Sequence, residues 1–131
     1  MTTGMPEMQP SVLIIDDDPL HLKIYTWILE REGYDCRTAL VGETSVDLPQ
    51  DASIQLVLLD YRLSSRLRAT EVAQRAKEAY PDVPIVVLSE MPWMPDDMNQ
   101  HAIAFINKGN AKRLIETVAA ILDRQSASSP A

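Results

Sequence analysis

The sequence has a single cysteine, Cys36, and that scarcity closes several routes at once. One thiol cannot form an internal disulfide, and a cysteine-based metal site needs more ligands. The usage fits a reducing compartment, so a cytoplasmic location is expected, with Cys36 in a plain packing role. Long apolar runs are missing too. The longest stretches are about five or six residues, whereas a membrane-spanning helix needs about 20. The N-terminal segment MTTGMPEMQP has no basic flank and no apolar core, so it does not read as a secretory signal. Basic residues are in deficit: 12 Lys and Arg face 19 Asp and Glu, a net charge of −7. Such a surface repels phosphate backbones. Neither nucleic acid nor a membrane is an expected partner.

What remains is ordinary for one globular domain. The 131 residues are 46% apolar and 24% charged, with no internal repeat and no long linker. Residues 1–10 and 125–131 (QSASSPA) are aperiodic and read as tails around a domain at 11–124. SVLIID at 11–16 is a short, β-branched apolar run, as in a strand buried on both faces. Asp18 and Pro19 then form a helix start, N-cap and first helical position. Leu20, Ile24, Trp27 and Ile28 recur at helical spacing, and Gly33 marks the end. YDCRTA reads as a second strand, IQLVLLD at 54–60 as a third, VPIVVLS at 83–89 as a fourth and AIAFIN at 102–107 as a fifth. A helix is expected over about Arg68–Tyr80, with Val72, Ala73 and Ala76 on one face. Another follows Asn110, with Leu114, Ile115, Val118, Ile121 and Leu122 as its apolar face. Residues 41–53 are compatible with a short helix over Glu43–Leu48, limited by Pro49. Pro92 and Pro95 exclude a helix until about Asp96. Strands alternating with helices argue for a mainly parallel sheet covered on both faces.

In such sheets, chemistry gathers at the carboxyl ends of the strands. The first strand ends at Asp16, followed by Asp17 and Asp18. The third ends at Asp60, the fourth at Ser89, and the fifth leads into Lys108. Parallel strands would bring these groups to one rim. Carboxylates so crowded need raised pKa values or a bound cation. Mg²⁺ takes one or two carboxylates, waters and phosphate oxygens, while Lys108 supplies a compact positive charge and Ser89 a hydroxyl donor. These are the parts of phosphoryl transfer, with Asp60 the best-placed nucleophile. Each residue has a plainer reading. Asp18 reads as an N-cap only, and alone Asp60, Ser89 and Lys108 would read as loop and turn residues. Their agreement in order and strand placement favours the joint reading.

With these residues in view, the chain resembles the receiver domain of bacterial response regulators over about Ser11–Asp123. VLIIDDDP, IQLVLLDYRL, VPIVVLS and FINKG carry the likeness. The resemblance implies a doubly wound five-stranded α/β sheet of flavodoxin-like order 2-1-3-4-5. Asp16 and Asp17 match the Mg²⁺-holding pair, Asp60 the phosphorylated aspartate, and Arg62 the position whose backbone carbonyl completes the metal site. Ser89 and Lys108 match the groups that meet the phosphoryl oxygens, and Phe105 the aromatic that moves inward with Ser89. The implied partners are a histidine kinase and an unidentified downstream protein. The domain itself would be a monomer or weak dimer, and a phosphoacceptor switch rather than an enzyme. No output domain is expected after the last helix, so output is expected by binding another protein or by passing the phosphoryl group onward.

The departures are specific. Ser64 stands where the family commonly has proline, no glycine follows nearby, and Gly109 replaces the usual cis proline after Lys108. A trans bond is therefore expected there. The fourth helix is expected to be short or degenerate, in a segment carrying Met91, Trp93, Met94 and Met98. Those side chains either fold back onto the core or form an adaptable contact surface. Arg62 and Met91 are bulky where water access is tuned, so a long-lived phosphorylated state is expected. Two alternatives stand beside the switch: a pseudo-receiver that binds without phosphate, and a haloacid-dehalogenase-type phosphohydrolase built on Asp16-Asp17-Asp18. The second would leave Asp60 without a role.

Overall fold

A computed structural model describes residues 10–64 and 66–127. Five strands form one parallel sheet: β1 (Ser11–Asp16), β2 (Asp35–Leu40), β3 (Ile54–Asp60), β4 (Ile85–Ser89) and β5 (Ala104–Asn107). Their spatial order is β2-β1-β3-β4-β5, as the resemblance implies. Among the described residues three α-helices accompany them: α1 (Pro19–Arg31) between β1 and β2, α2 (Ala69–Ala79) between β3 and β4, and α3 (Ala111–Ala127) after β5.

The continuous apolar runs become the middle of the sheet. Every residue of β1 is buried, whereas β2, at the edge, buries only Ala39. Alternate side chains feed two cores. Leu13, Ile15, Val57, Leu59 and Val87 pack under α2 through Val72, Ala73 and Ala76. Val12, Ile14, Leu56, Leu58 and Val86 pack under α1 and α3 through Leu22, Leu29, Leu114, Val118 and Leu122. Truncating one such residue, for example Leu58→Ala, costs about 2–5 kcal/mol.

The helix starts follow local chemistry. Asp18 accepts the Leu20 N–H at 2.9 Å, and Pro19 opens α1. Asn110 accepts the Arg113 N–H at 3.0 Å at the start of α3. Gly33 and Gly109 take positive φ, +93° and +88°, where a Cβ would be strained. There is no cis peptide among the described residues, so the bond after Lys108 is trans as expected.

Three details differ from the sequence reading, and the segment between β4 and β5 agrees with it. No helix forms over Glu43–Leu48; Val41 and Val46 instead pair in an antiparallel bridge. Between β4 and β5, as expected of a short or degenerate fourth helix, only a 3₁₀ turn forms, Asp96–Met98, where the two prolines release the chain. The last helix runs to Ala127, into the stretch read as tail; residues 1–9 and 128–131 lie outside the described residues. Finally, the buried face of α1 is Leu22 and Leu29, while Leu20, Ile24 and Trp27 are exposed. This helix is apolar nearly all round, so its spacing alone did not select a face. The methionine-rich loop divides: Met98 is fully buried and Met94 packs on the core, while Trp93 is exposed. Among the described residues no helix is long and apolar enough to cross a membrane.

Candidate functional site

The carboxyl ends of β1 and β3 lie side by side in the sheet, with Ile15 opposite Leu59. Asp16 and Asp60 are the last residues of those strands and are buried, at 0% and 2% exposure. Two carboxylates held out of water at close range are costly unless countered. Lys108, just past β5, supplies the counter-charge: its Nζ lies 2.7 Å from Asp60 Oδ1. Burial pulls the lysine towards its neutral form, but the Asp60 hydrogen bond and charge outweigh this and hold the ammonium above its ordinary range.

Asp16 is less fully compensated. Its Oδ1 accepts the Asp18 N–H at 3.0 Å and its Oδ2 meets His21 Nδ1 at 3.2 Å. Burial, and then the charge of Asp60, still push its carboxyl up to about 6. Burial also raises the Tyr25 phenol, which feels Lys108, Asp16 and Asp60 as well. A cleft of about 250 Å³ between α1 and α3 opens beside this group, with His21, Tyr25 and Lys108 in its wall.

Around this centre the loops are tied down. Asp17 turns one oxygen to the Ser64 N–H at 2.6 Å and so anchors the segment after β3. The Arg62 N–H points back at Asp60 Oδ1 at 3.4 Å, and its guanidinium reaches Glu90 at 3.6 Å across the rim. Ser89 is buried, and its Oγ accepts the Met91 N–H at 3.0 Å. That contact occupies an oxygen lone pair and leaves the hydroxyl proton to donate. Lys108 is positioned through its own N–H, which bonds the Ser89 carbonyl at 2.8 Å.

Residues 12–119 match the response regulator receiver domain family. The chain belongs to that family.

The nitrogen assimilation regulatory protein NtrX of Azorhizobium caulinodans is 35% identical over 113 residues, which are 82% of this chain and 25% of NtrX. The chain thus spans about a quarter of that curated relative's length. A CheY-like receiver domain protein from Methanospirillum hungatei matches with a TM-score of 0.72 at 25% identity, over 92% of this chain and 99% of the other. The response regulator TrrA of Thermotoga maritima, in complex with Mg²⁺ and BeF, matches with a TM-score of 0.68 at 24% identity, over 86% and 98%. The receiver family serves two-component signalling and is not a family of conventional enzymes; a phosphorylated aspartate and Mg²⁺ are its general features.

In this receiver domain, Lys108 contacts Asp60 directly and Asp16 lies beside Asp60, with carboxylate oxygens of the two within 4.8 Å. Asp17 and Arg62 stand at the edge, holding loops. Phe105 lies opposite Val87 on β5, half-buried against the α2-side core. The sequence reading missed His21. One ligand atom each from Asp16, His21 and Asp60 lie within 4.8 Å of one another. The signal was present in Asp18-Pro19, which fixes where the helix starts. Residue 21 then falls on the first turn, and helical side chains lean towards the N-terminus, back over the strand end.

The donor set fits Mg²⁺. Two carboxylates, both buried and one of them driven towards protonation, gain from a hard cation that keeps several waters.

Proposed function

We propose that this receiver accepts a phosphoryl group on Asp60 from the phosphohistidine of a histidine kinase, and that the phosphorylated form is read by a downstream protein. One observation carries the reading: Asp60 is buried at the rim between a second buried carboxylate and a lysine 2.7 Å away. An Asp60 oxygen attacks phosphorus, the P–N bond breaks, and the departing imidazole keeps the nitrogen electron pair and takes up a proton. Lys108 and the Ser89 hydroxyl neutralise oxygens of the transferred group. Asp16, Asp17, Asp60 and the Arg62 carbonyl would hold Mg²⁺, which, when bound, offsets the charge of the carboxylates and the incoming phosphoryl group.

After transfer, Ser89 is drawn to the phosphoryl oxygens and Phe105 moves inward, biasing the Met91–Met98 loop and exposed Trp93. A cytoplasmic location follows from the same reading. The experiment is incubation with acetyl phosphate and Mg²⁺, followed by intact mass measurement. A gain of one phosphoryl group that Asp60→Asn abolishes supports the proposal. No gain, together with unchanged Trp fluorescence on adding beryllofluoride, would instead favour a binding module that works without phosphate.

A further inference from the structure

The cation site contains a donor that Mg²⁺ does not call for. His21 places Nδ1 3.2 Å from Asp16 Oδ2 and Nε2 3.5 Å from Asp18 Oδ2. Its ring also packs edge-on against Tyr25, with centroids 6.4 Å apart. Oxygen donors suit Mg²⁺, whereas imidazole nitrogen suits the later divalent ions from cobalt to zinc. Two buried carboxylates and one imidazole within 4.8 Å form a mixed donor set of the kind those ions favour. Lys108 balances Asp60, but Asp16 faces only a half-exposed histidine and a backbone N–H, so it is the more open anion. His21 is 40% exposed, and its ring can therefore adjust towards an ion without disturbing the core.

We propose that His21 is a nitrogen ligand of the divalent-cation site, so that Asp16, Asp60 and His21 together bind a later transition ion such as Co²⁺ through a contact that Mg²⁺ does not use. This rests on the reading that Asp16 and Asp60 hold a divalent ion. The site then discriminates between metals through a helix residue rather than through its carboxylates. Phosphorylation would respond to which ion is loaded.

The test uses the full chain and two metals. Isothermal titration with Co²⁺ and with Mg²⁺ is run on the wild type, His21→Gln, His101→Gln and Asp16→Asn, with far-UV circular dichroism to confirm folding. In His21→Gln, Co²⁺ affinity is expected to fall by about tenfold or more while Mg²⁺ affinity is unchanged. His101 is the chain's other histidine, and His101→Gln is expected to leave both affinities intact. A paramagnetically shifted imidazole N–H resonance in the Co²⁺ form should vanish in His21→Gln only. If His21→Gln does not fold, His21→Asn serves in its place. Equal losses for both metals would show that His21 only orients Asp16, and would overturn the proposal. So would unchanged Co²⁺ binding without the shifted resonance. Either failure leaves the Asp16–Asp60 cation site standing. Divalent binding indifferent to Asp16→Asn would overturn that site and the His21 proposal with it.

Discussion

Lys108 Nζ and Asp60 Oδ1 lie 2.7 Å apart at the end of the sheet, with the carboxylate almost fully enclosed. A buried pair of this kind is costly to break from one side, because the remaining charge stays buried without a partner. Lys108→Ala is expected to lower stability by about 3–5 kcal/mol in EDTA. Saturating Mg²⁺ should recover part of that loss by taking over the lysine's role towards both carboxylates. Thermal melts with and without Mg²⁺ check this. Equal melting temperatures for wild type and variant in EDTA would refute it.

Asp16 gives the site a pH dependence. Its folded-state carboxyl is raised from 3.8 to about 6, chiefly by burial and then by Asp60. Folding therefore favours the neutral form, and that contribution is complete below about pH 4 and lost as pH rises through about 6. Asp16→Asn keeps this position neutral throughout. It is expected to raise stability in EDTA on the order of 2–3 kcal/mol at pH 8, with the gain shrinking as pH falls to 4. Mg²⁺ affinity of the wild type should weaken over the same interval, since the proton and the cation compete for one carboxylate. Urea melts and Mg²⁺ titrations at pH 4.5, 6 and 8 measure both.

The Arg62–Glu90 contact spans the rim beyond Asp60, with both side chains largely exposed. An exposed pair contributes at most about 1 kcal/mol, so its interest lies in shielding. Arg62→Ala is expected to change stability by no more than about 0.5 kcal/mol and to shorten the lifetime of phosphorylated Asp60. The decay of the phosphorylated mass after removal of phosphodonor reads this directly. An unchanged lifetime would exclude Arg62 as a water barrier.

Cys36 is partly buried on β2 against the α1-side core. Burial, then the charges of Glu30 and Asp35, push its thiol up to about 12. At pH 8 almost no thiolate is present. Ellman's reagent is therefore expected to react slowly with the native protein and rapidly once it is unfolded in guanidinium. Fast native labelling would contradict the burial.

Much of the fold could be read along the chain. The runs at 11–16 and 54–60 are the central strands, and Asn110, Pro19 and Gly33 mark helix ends where expected. The connections were harder. Residues 41–53 carried no strong period, and the bridge between Val41 and Val46 depends on the loop's path rather than on local preference. Likewise Arg68, an unusual residue for a helix start, serves because its N–H meets Glu71 Oε1 at 3.0 Å.

The sequence by itself determined that Asp16, Asp60 and Lys108 share one rim. Once strands are parallel, their carboxyl ends must lie on the same edge of the sheet, whatever the loops do. Only the tertiary structure decided what else joins them. Seven apolar residues distributed around α1 left its rotation open, and packing on Leu22 and Leu29 resolved it, swinging His21 over Asp16. The bond from Ser64 N–H to Asp17 was equally out of reach, because it joins residues 47 apart in sequence. Contacts of that kind arise from the closure of the whole chain, and no local pattern encodes them.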